Sequence, residues 1–409
     1  MDKKIWLINY HAYPPGTSKW TRHFDLFKNL SKGYKFTCFG ADYIHDTGEN
    51  LLDKNEKIKE EIFEGVKYVT IKSKGYKNIF SRYLCYIFYF FEILKLNKSM
   101  NEKPNVIIGS SPDLLMGLCA YILSKKYKCK FIFEIRDIWP EALIELGAFS
   151  RYNPICVLFK ILELFLYKKA DAIIAMAPGD KNYLKNIQVN ENKIFYINNG
   201  VDIEKFNNNL MLHKNLKNLP EDKFNIVYTG AISLNNGLEL LIKAAKILEE
   251  KNCTNIFINI FGRGTEENKL KAEASNLTNI KFYGSIKKEI IPVTLKNSDI
   301  LYFSFKDTEL YRKYGISPNK LFEYLASQKP ILFACKAYKD QVKEGNCGIS
   351  LEELTPQKVV EAILEFYKMS DNNRKNLGKN GYEYVCQNFE MKILSNKLKN
   401  CIEFCLKND

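Results

Sequence analysis

Residues 315–326 read Gly-Ile-Ser-Pro-Asn-Lys-Leu-Phe-Glu-Tyr-Leu-Ala. A turn containing Gly and Pro here runs into an amphipathic helix. A helix start leaves backbone N–H groups without partners, which favours an anion there. Lys320 on the first helical turn opposes the helix dipole unless an anion sits beside it. Glu323 follows at the spacing that puts it next to the same opening. N–H groups and an ammonium that hold phosphate, beside a carboxylate that grips sugar hydroxyls, suit a nucleoside-diphosphate ligand. The competing explanation is an ordinary capped helix, with Ser317 as N-cap, Pro318 in the first helical position, and Leu321, Phe322 and Leu325 in the core.

Other groups lie at the ends of expected strands. The segment Ile5-Trp6-Leu7-Ile8-Asn9 reads as a buried first strand, and His11 and then Pro14-Pro15-Gly16-Thr17-Ser18 follow it. The loop lacks the G-x-G-x-x-G spacing of a dinucleotide fingerprint. It is either a place where a ligand approaches the backbone at Gly16 and Thr17 or a plain Pro-Gly turn. The strand Phe131–Ile135 runs into Arg136-Asp137-Ile138-Trp139-Pro140-Glu141, with ionisable groups at the carboxyl end, where open α/β sheets bind ligands. A surface loop with a salt bridge is the alternative. Two further strands end in Tyr228-Thr229-Gly230 and Phe261-Gly262-Arg263-Gly264. The four His have no metal-ligand spacing, and the eleven Cys contain no C-x-x-C pair. A zinc site is therefore not expected, and the Cys usage suits a reducing compartment.

These residues need a scaffold that alternates strand and helix. The 409 residues are 46% hydrophobic and 26% charged, enough for two or three globular domains. Strands are expected at 34–40, 67–71, 105–111, 131–135, 172–177 and 194–197, with helices between them. Residues 203–222 are Asn- and Lys-rich without periodicity and read as a linker. A second α/β series starts at Phe224, with strands near 256–261, 280–283, 300–303 and 330–333. The fold class is α/β, with two Rossmann-like domains facing across a cleft: residues 1–203, joined by a C-terminal helix at 388–409, and residues 221–387.

The net charge of +14 calls for an anionic partner. No nucleic-acid signature stands out, so nucleic acid is not expected. The first apolar run is too short for a signal peptide, and the run Tyr83–Leu94 is too short to span a bilayer. Lys72, Lys74, Lys77 and Arg82 precede that aromatic run, and Lys95 and Lys98 follow it. Helix 79–95 therefore reads as one that lies on an anionic membrane surface, against the alternative of a helix buried on a sheet. A second apolar helix, Ile155–Lys169, suits packing within the first domain, against the alternative that it too lies near a membrane.

Taken together, Pro14–Ser18 with Arg22, Glu134–Pro140, Asn199-Gly200-Val201-Asp202 with Phe206, Phe261–Gly264 and Ser317–Tyr324 resemble glycosyltransferase family 4, a family with the GT-B fold. The order and spacing of all five carry the resemblance over nearly the whole chain. The Asp-Ile-Trp-Pro and Ser-Pro-Asn-Lys-Leu-Phe-Glu-Tyr versions resemble a subgroup that builds bacterial surface polysaccharides. The resemblance implies sugar transfer from a nucleotide-sugar with retention at the anomeric carbon and without a bound metal or other cofactor. It implies that Glu323 grips ribose, that Ser317, Pro318, Asn319, Lys320 and Leu321 support the diphosphate with Gly230 and Gly262 beside them, and that Gly16 and Thr17 face the donor from the first domain. Two features depart from the family. Gly315 stands where a second Glu is usual, and Tyr228–Gly237 lacks the usual Arg and Lys. Phosphate charge then falls to Lys320 and Arg263, with Arg312 and Lys313 as further candidates.

The expected function is a retaining transferase that moves an N-acetylated amino or deoxy sugar from a UDP-sugar to a polyprenyl-diphosphate-linked saccharide, on the cytoplasmic face of the plasma membrane. Lys320 and Arg263 serve the leaving group, and Asp137 or His11 orients hydroxyls. The rivals are a UDP-GlcNAc 2-epimerase-like isomerase of the same architecture and a non-catalytic basic binding protein.

Overall fold

In a computed structural model, the structure describes every residue except Met1, Lys19, Asp46, Lys77, 97–101, Leu146, Ala148, 408 and 409. Lys77 and Lys98, two of the cations flanking the aromatic run, lie outside the described residues. The chain forms two units, Met1–Asn198 with Met391–Asp409, and Asn199–Glu390.

The first unit is built on β1 (Lys3–Ile8), β2 (Tyr34–Ala41), β3 (Ile58–Phe63), β4 (Val66–Ile71), β5 (Val106–Ser110), β6 (Lys130–Ile135), β7 (Ala172–Ala175) and β8 (Ile194–Tyr196). Their order in the sheet is β3-β4-β2-β1-β5-β6-β7-β8, parallel except for the β3–β4 pair. The direction of winding reverses between β1 and β5, which pair in register Ile8↔Gly109. Strands buried on both faces read as continuous apolar runs, and β1 and β5 do so. One face packs on helix Arg22–Lys28 and on helix Met391–Lys407. The latter places Met391, Leu394, Leu398, Cys401, Ile402 and Cys405 in the same core as Ile5, Leu7 and Ile108. Their spacing of three and four residues is that of a helical stripe. Ser395 Oγ donates to Leu26 O at 2.9 Å, and Lys3 pairs with Glu403 at 2.7 Å.

The second unit carries β9 (Phe224–Thr229), β10 (Ile256–Phe261), β11 (Ile280–Gly284), β12 (Ile300–Ser304), β13 (Ile331–Ala334) and β14 (Gly348–Ser350), in the order β11-β10-β9-β12-β13-β14 and parallel throughout. Its winding reverses between β9 and β12.

Residues 203–222 are not the unstructured linker that their composition suggests. Helix Ile203–Leu212 occupies half of the stretch, and the chain passes between units at Asn198 and Asn199. Asp202 caps the helix by accepting from Lys205 N at 2.9 Å, and Ile203 and Phe206 are buried. A cap and two apolar anchors hold a helix whose Asn residues hide its period. The short edge strands β3 and β14 are additions to the expected set. β3 exposes much of its surface and so lacks an apolar run.

Candidate active site

The carboxyl ends of β9, β10 and β12 meet at the reversal point of the second sheet, and glycines let the loops above them close up. Gly230 N donates to Phe261 O at 2.9 Å, and Gly262 N to Gly284 O at 2.8 Å. A Cβ on Gly262, whose φ is +152°, would lie 1.7 Å from Gly230 O. No other residue fits there. Gly230 has φ +148°, and a Cβ there would meet Tyr228 Oη at 3.1 Å and Lys320 Cδ at 3.3 Å.

Lys320 is the centre of this edge. Its Nζ donates to Asn236 Oδ1 at 2.5 Å and to Tyr228 Oη at 3.2 Å. It also faces the rings of Tyr228, Phe303 and Phe305 at 4.5, 4.9 and 5.0 Å. Burial pushes the ammonium down to about 7. The ring faces favour the charged form and act against that shift. Asn236 is itself braced, its Nδ2 donating to Ser233 Oγ at 2.8 Å and its carbonyl accepting from Ser304 Oγ at 2.6 Å. Lys320 is thus an anchored cation, not the mobile one its position on an exposed first turn suggests.

Helix Asn319–Ala326 begins at this point. Pro318, not Ser317, holds the cap position, with φ −81° and ψ 136°. Leu321 N is taken by Pro318 O, while the N–H groups of Asn319 and Lys320 have no partner among the described residues. Two backbone donors and the Lys320 ammonium therefore stand at one helix start, the makings of an anion site. Tyr324 locks the helix to the sheet, its Oη accepting from Thr229 N at 2.8 Å and donating to Thr229 O at 3.2 Å. Glu323 is half-buried and its carboxylate makes no hydrogen bond or ion pair among the described residues. Burial raises it, with Lys288 acting the other way. Arg263 is exposed and its guanidinium makes no hydrogen bond or ion pair among them, although its charge is felt by Glu267.

Other expected residues fall away from this constellation. Leu321 buries its side chain fully in the core and its N–H is engaged, so it offers nothing to a ligand. Ser317 has its hydroxyl and carbonyl held by Asn199. Arg312 pairs with Asp307 at 3.4 Å and Lys313 with Glu309 at 2.5 Å. Gly315 has φ +81° and ψ −168°, a conformation that side-chain-bearing residues avoid. Among the described residues no His, Cys, Asp or Glu side chains cluster as a metal site.

In the first unit, Gly16 has φ +88° and open space around it, and Thr17 Oγ1 donates to Pro14 O at 2.7 Å in a tight turn. Asp137 makes no hydrogen bond or ion pair among the described residues; desolvation raises its carboxyl, and the neighbouring Arg136 charge acts the other way. His11 is not available for chemistry. It is buried, with Nδ1 2.9 Å from Tyr13 Oη and Nε2 3.1 Å from Tyr86 Oη. Burial, helped by Arg82, holds its pKa well below the usual range. Its nitrogens are spent in a chain from Arg82 through Tyr86 to Tyr13.

A buried cluster around Glu134 was not singled out by sequence reasoning. Glu134 Oε1 accepts from Arg22 Nε at 3.1 Å, and Oε2 accepts from His23 Nε2 and Ser110 Oγ, both at 2.6 Å. Burial alone would raise this carboxyl, but His23, Arg22 and Ser110 hold it well below the usual carboxylate range. Burial lowers His23 in spite of Glu134, and Arg22 forms a buried ion pair with the same carboxylate at 3.1 Å. The signal was present in an Arg and a Glu within two conspicuous motifs, with nothing in the sequence to pair them.

Helix Ile79–Leu96 buries Cys85, Tyr86, Tyr89 and Ile93 but leaves Leu84 52% and Phe91 54% exposed, with Ile87 and Phe88 also open. Lys74 Nζ sits 5.3 Å above the Phe88 ring. Helix Pro154–Lys169, expected to pack inside the unit, leaves Ile155, Leu158 and Ile161 exposed as well. No helix among the described residues is long and apolar enough to cross a membrane.

Residues 32–205 match Glycosyltransferase Family 4, and residues 212–384 match Glycosyl transferases group 1. The chain is 24% identical over 250 residues to the putative colanic acid biosynthesis glycosyl transferase WcaI of Escherichia coli, covering 58% of this chain and 59% of that protein. It spans about three fifths of the length of the curated relatives it matches. Among solved structures it resembles sucrose-phosphate synthase of Thermosynechococcus elongatus, a GT-B protein, with TM-score 0.75 and 17% identity over 97% of this chain and 98% of the other. It also resembles Anabaena HepE in complex with UDP and glucose, with TM-score 0.67 and 13% identity over 98% and 100%.

Proposed function

The chain belongs to glycosyltransferase family 4, with the GT-B fold, and on that premise we propose that it moves a sugar from a UDP-sugar to a lipid-linked saccharide in the synthesis of a surface glycan. The sugar is an N-acetylated amino or deoxy sugar, transferred with retention and without a metal. The observation that carries the reading is the helix start at Asn319. Two unpaired N–H groups and an anchored ammonium converge there, with the unpaired Glu323 carboxylate one turn on. Breaking a glycosyl–phosphate bond puts negative charge on the departing diphosphate. Fixed donors and cations aimed at that charge stabilise it without reorganising. Lys320, Arg263 and the two N–H groups take the diphosphate, Glu323 accepts hydrogen bonds from the ribose hydroxyls, and Gly230 and Gly262 keep the loop surface bare for the ligand. On the first unit, Asp137 orients an acceptor hydroxyl. WcaI, named for colanic acid biosynthesis, supports a role in glycan synthesis, and HepE, solved with UDP, supports the nucleotide class.

The acceptor lies in a membrane in this reading, and the exposed apolar faces of helices Ile79–Leu96 and Pro154–Lys169 rest on its anionic surface. Release of UDP or GDP from a panel of sugar nucleotides, with and without lipid-linked saccharides, tests the assignment. UDP release that requires an acceptor supports it. An epimerised sugar nucleotide formed without acceptor would replace it with an isomerase. For the membrane part, Phe91→Asp should lower sedimentation with anionic vesicles. Equal binding of wild type and variant at low and high salt would sink it.

A further inference from the structure

The passage between the two units is tied on both sides. Beyond β8, Ile197 O accepts from Arg22 Nη2 at 2.7 Å, and Asn198 O accepts from Arg22 Nη1 at 2.5 Å. Arg22 is itself fixed by the buried Glu134. The next residue, Asn199, is the first of the second unit. Its N–H donates to Ser317 Oγ at 3.0 Å, and its Nδ2 donates to Ser317 O at 2.6 Å. Two donors of one residue thus hold both the hydroxyl and the carbonyl of Ser317. Ser317 is followed by Pro318, whose φ is fixed by its ring and which has no N–H to offer. The orientation of the Ser317–Pro318 peptide therefore passes directly to the N–H groups of Asn319 and Lys320. Asn199 is 5% exposed, so water does not compete for these bonds.

We propose that Asn199 is a positioning residue for the diphosphate site: it sets the Ser317 peptide and so aims the N–H groups at the start of helix Asn319–Ala326. Arg22 holds the segment from which Asn199 reaches. The Asn-Gly-Val-Asp run thereby acquires a role beyond that of a turn, one that bears on the anion and not on the rest of the nucleotide. The ligand side of the proposal rests on the reading of this helix start as a nucleoside-diphosphate site, whereas the backbone side does not.

Asn199→Asp is the test, because it keeps the shape and the backbone N–H but replaces the Nδ2 donor with an acceptor facing Ser317 O. Hydrogen–deuterium exchange on the full, unliganded chain should show about tenfold faster exchange across residues 315–321, with β9 and β13 unchanged. Calorimetry should show UDP bound about tenfold more weakly and uridine bound as in wild type. A residue that merely holds the fold together would weaken both ligands alike. Unchanged exchange at 315–321, or equal losses for UDP and uridine, would overturn the proposal. Wild type that binds neither UDP nor GDP would instead remove the functional reading, leaving the exchange result to decide the backbone claim. Asn199→Ser, which shortens the donor without adding charge, takes the place of the Asp variant if that variant does not fold, with the same expectations.

Discussion

On the proposed function, Lys320 should make the affinity for UDP a function of pH, in a direction set by its buried surroundings. Free of ligand, its ammonium is enclosed by three rings and Asn236, and burial brings it down to about 7. A bound diphosphate places a compensating charge beside it and returns it toward the ordinary value near 10.5. Between these limits, binding must take up a proton. At pH 8 a group titrating at 7 is about nine-tenths neutral, so about 0.9 proton enters with each UDP. The Kd then rises about fivefold from pH 7 to 8 and about tenfold from pH 8 to 9, about fiftyfold over the two units. The rings favour the ammonium, so the bend in the curve lies at or above 7. The same group has the opposite effect on the empty fold. From pH 7 to 10.5 the unfolded chain holds a proton that the folded chain lacks, so stability rises with pH over that window. Calorimetric titration with UDP at pH 8, repeated in buffers of different ionisation enthalpy, reads the proton uptake directly. Lys320→Met should abolish both the uptake and the slope. A Kd that stays flat from pH 7 to 9, or binding with no proton taken up, would refute the argument.

Two further outcomes follow from packing. Glu134→Gln leaves the Arg22 charge buried and uncompensated, at a cost of about 3–5 kcal/mol in urea unfolding of the full chain; a loss below about 1 kcal/mol would show the cluster to be solvated. Gly262→Ala drives a methyl into Gly230 O, so about 3 kcal/mol or more of stability and the UDP-induced rise in Tm should both be lost, which thermal unfolding with and without UDP measures.

Much of the scaffold was legible because parallel strands buried on both faces announce themselves as short apolar runs, as β1, β5, β6, β9 and β10 do. The stripe from Met391 to Cys405 showed its amphipathic period in the same way. β3 escaped because its residues face water, and helix Ile203–Leu212 escaped because Asn conceals the spacing of its anchors. At the site, a turn running into a helix could be read from Gly315, Ser317 and Pro318, although the cap lies at Pro318 and not at Ser317. The environment of Lys320 could not, since Tyr228, Asn236, Phe303 and Phe305 come from strands and loops far apart in sequence. His11 misled for the same reason. A histidine after a first strand looks reactive until Tyr86, from a helix far along the chain, is seen on its ring. Leu321 sat inside a functional motif yet belongs to the core.

The first unit takes its Met391–Cys405 stripe from far beyond the strands it covers. During synthesis, β1, β2 and β5 leave the ribosome with an apolar face that helix Arg22–Lys28 covers only in part, and the whole second unit must follow before helix Met391–Lys407 is made. Over that interval the apolar residues of the first unit that Met391–Cys405 will cover have no such cover. The first unit therefore completes its core only after the second unit has been translated.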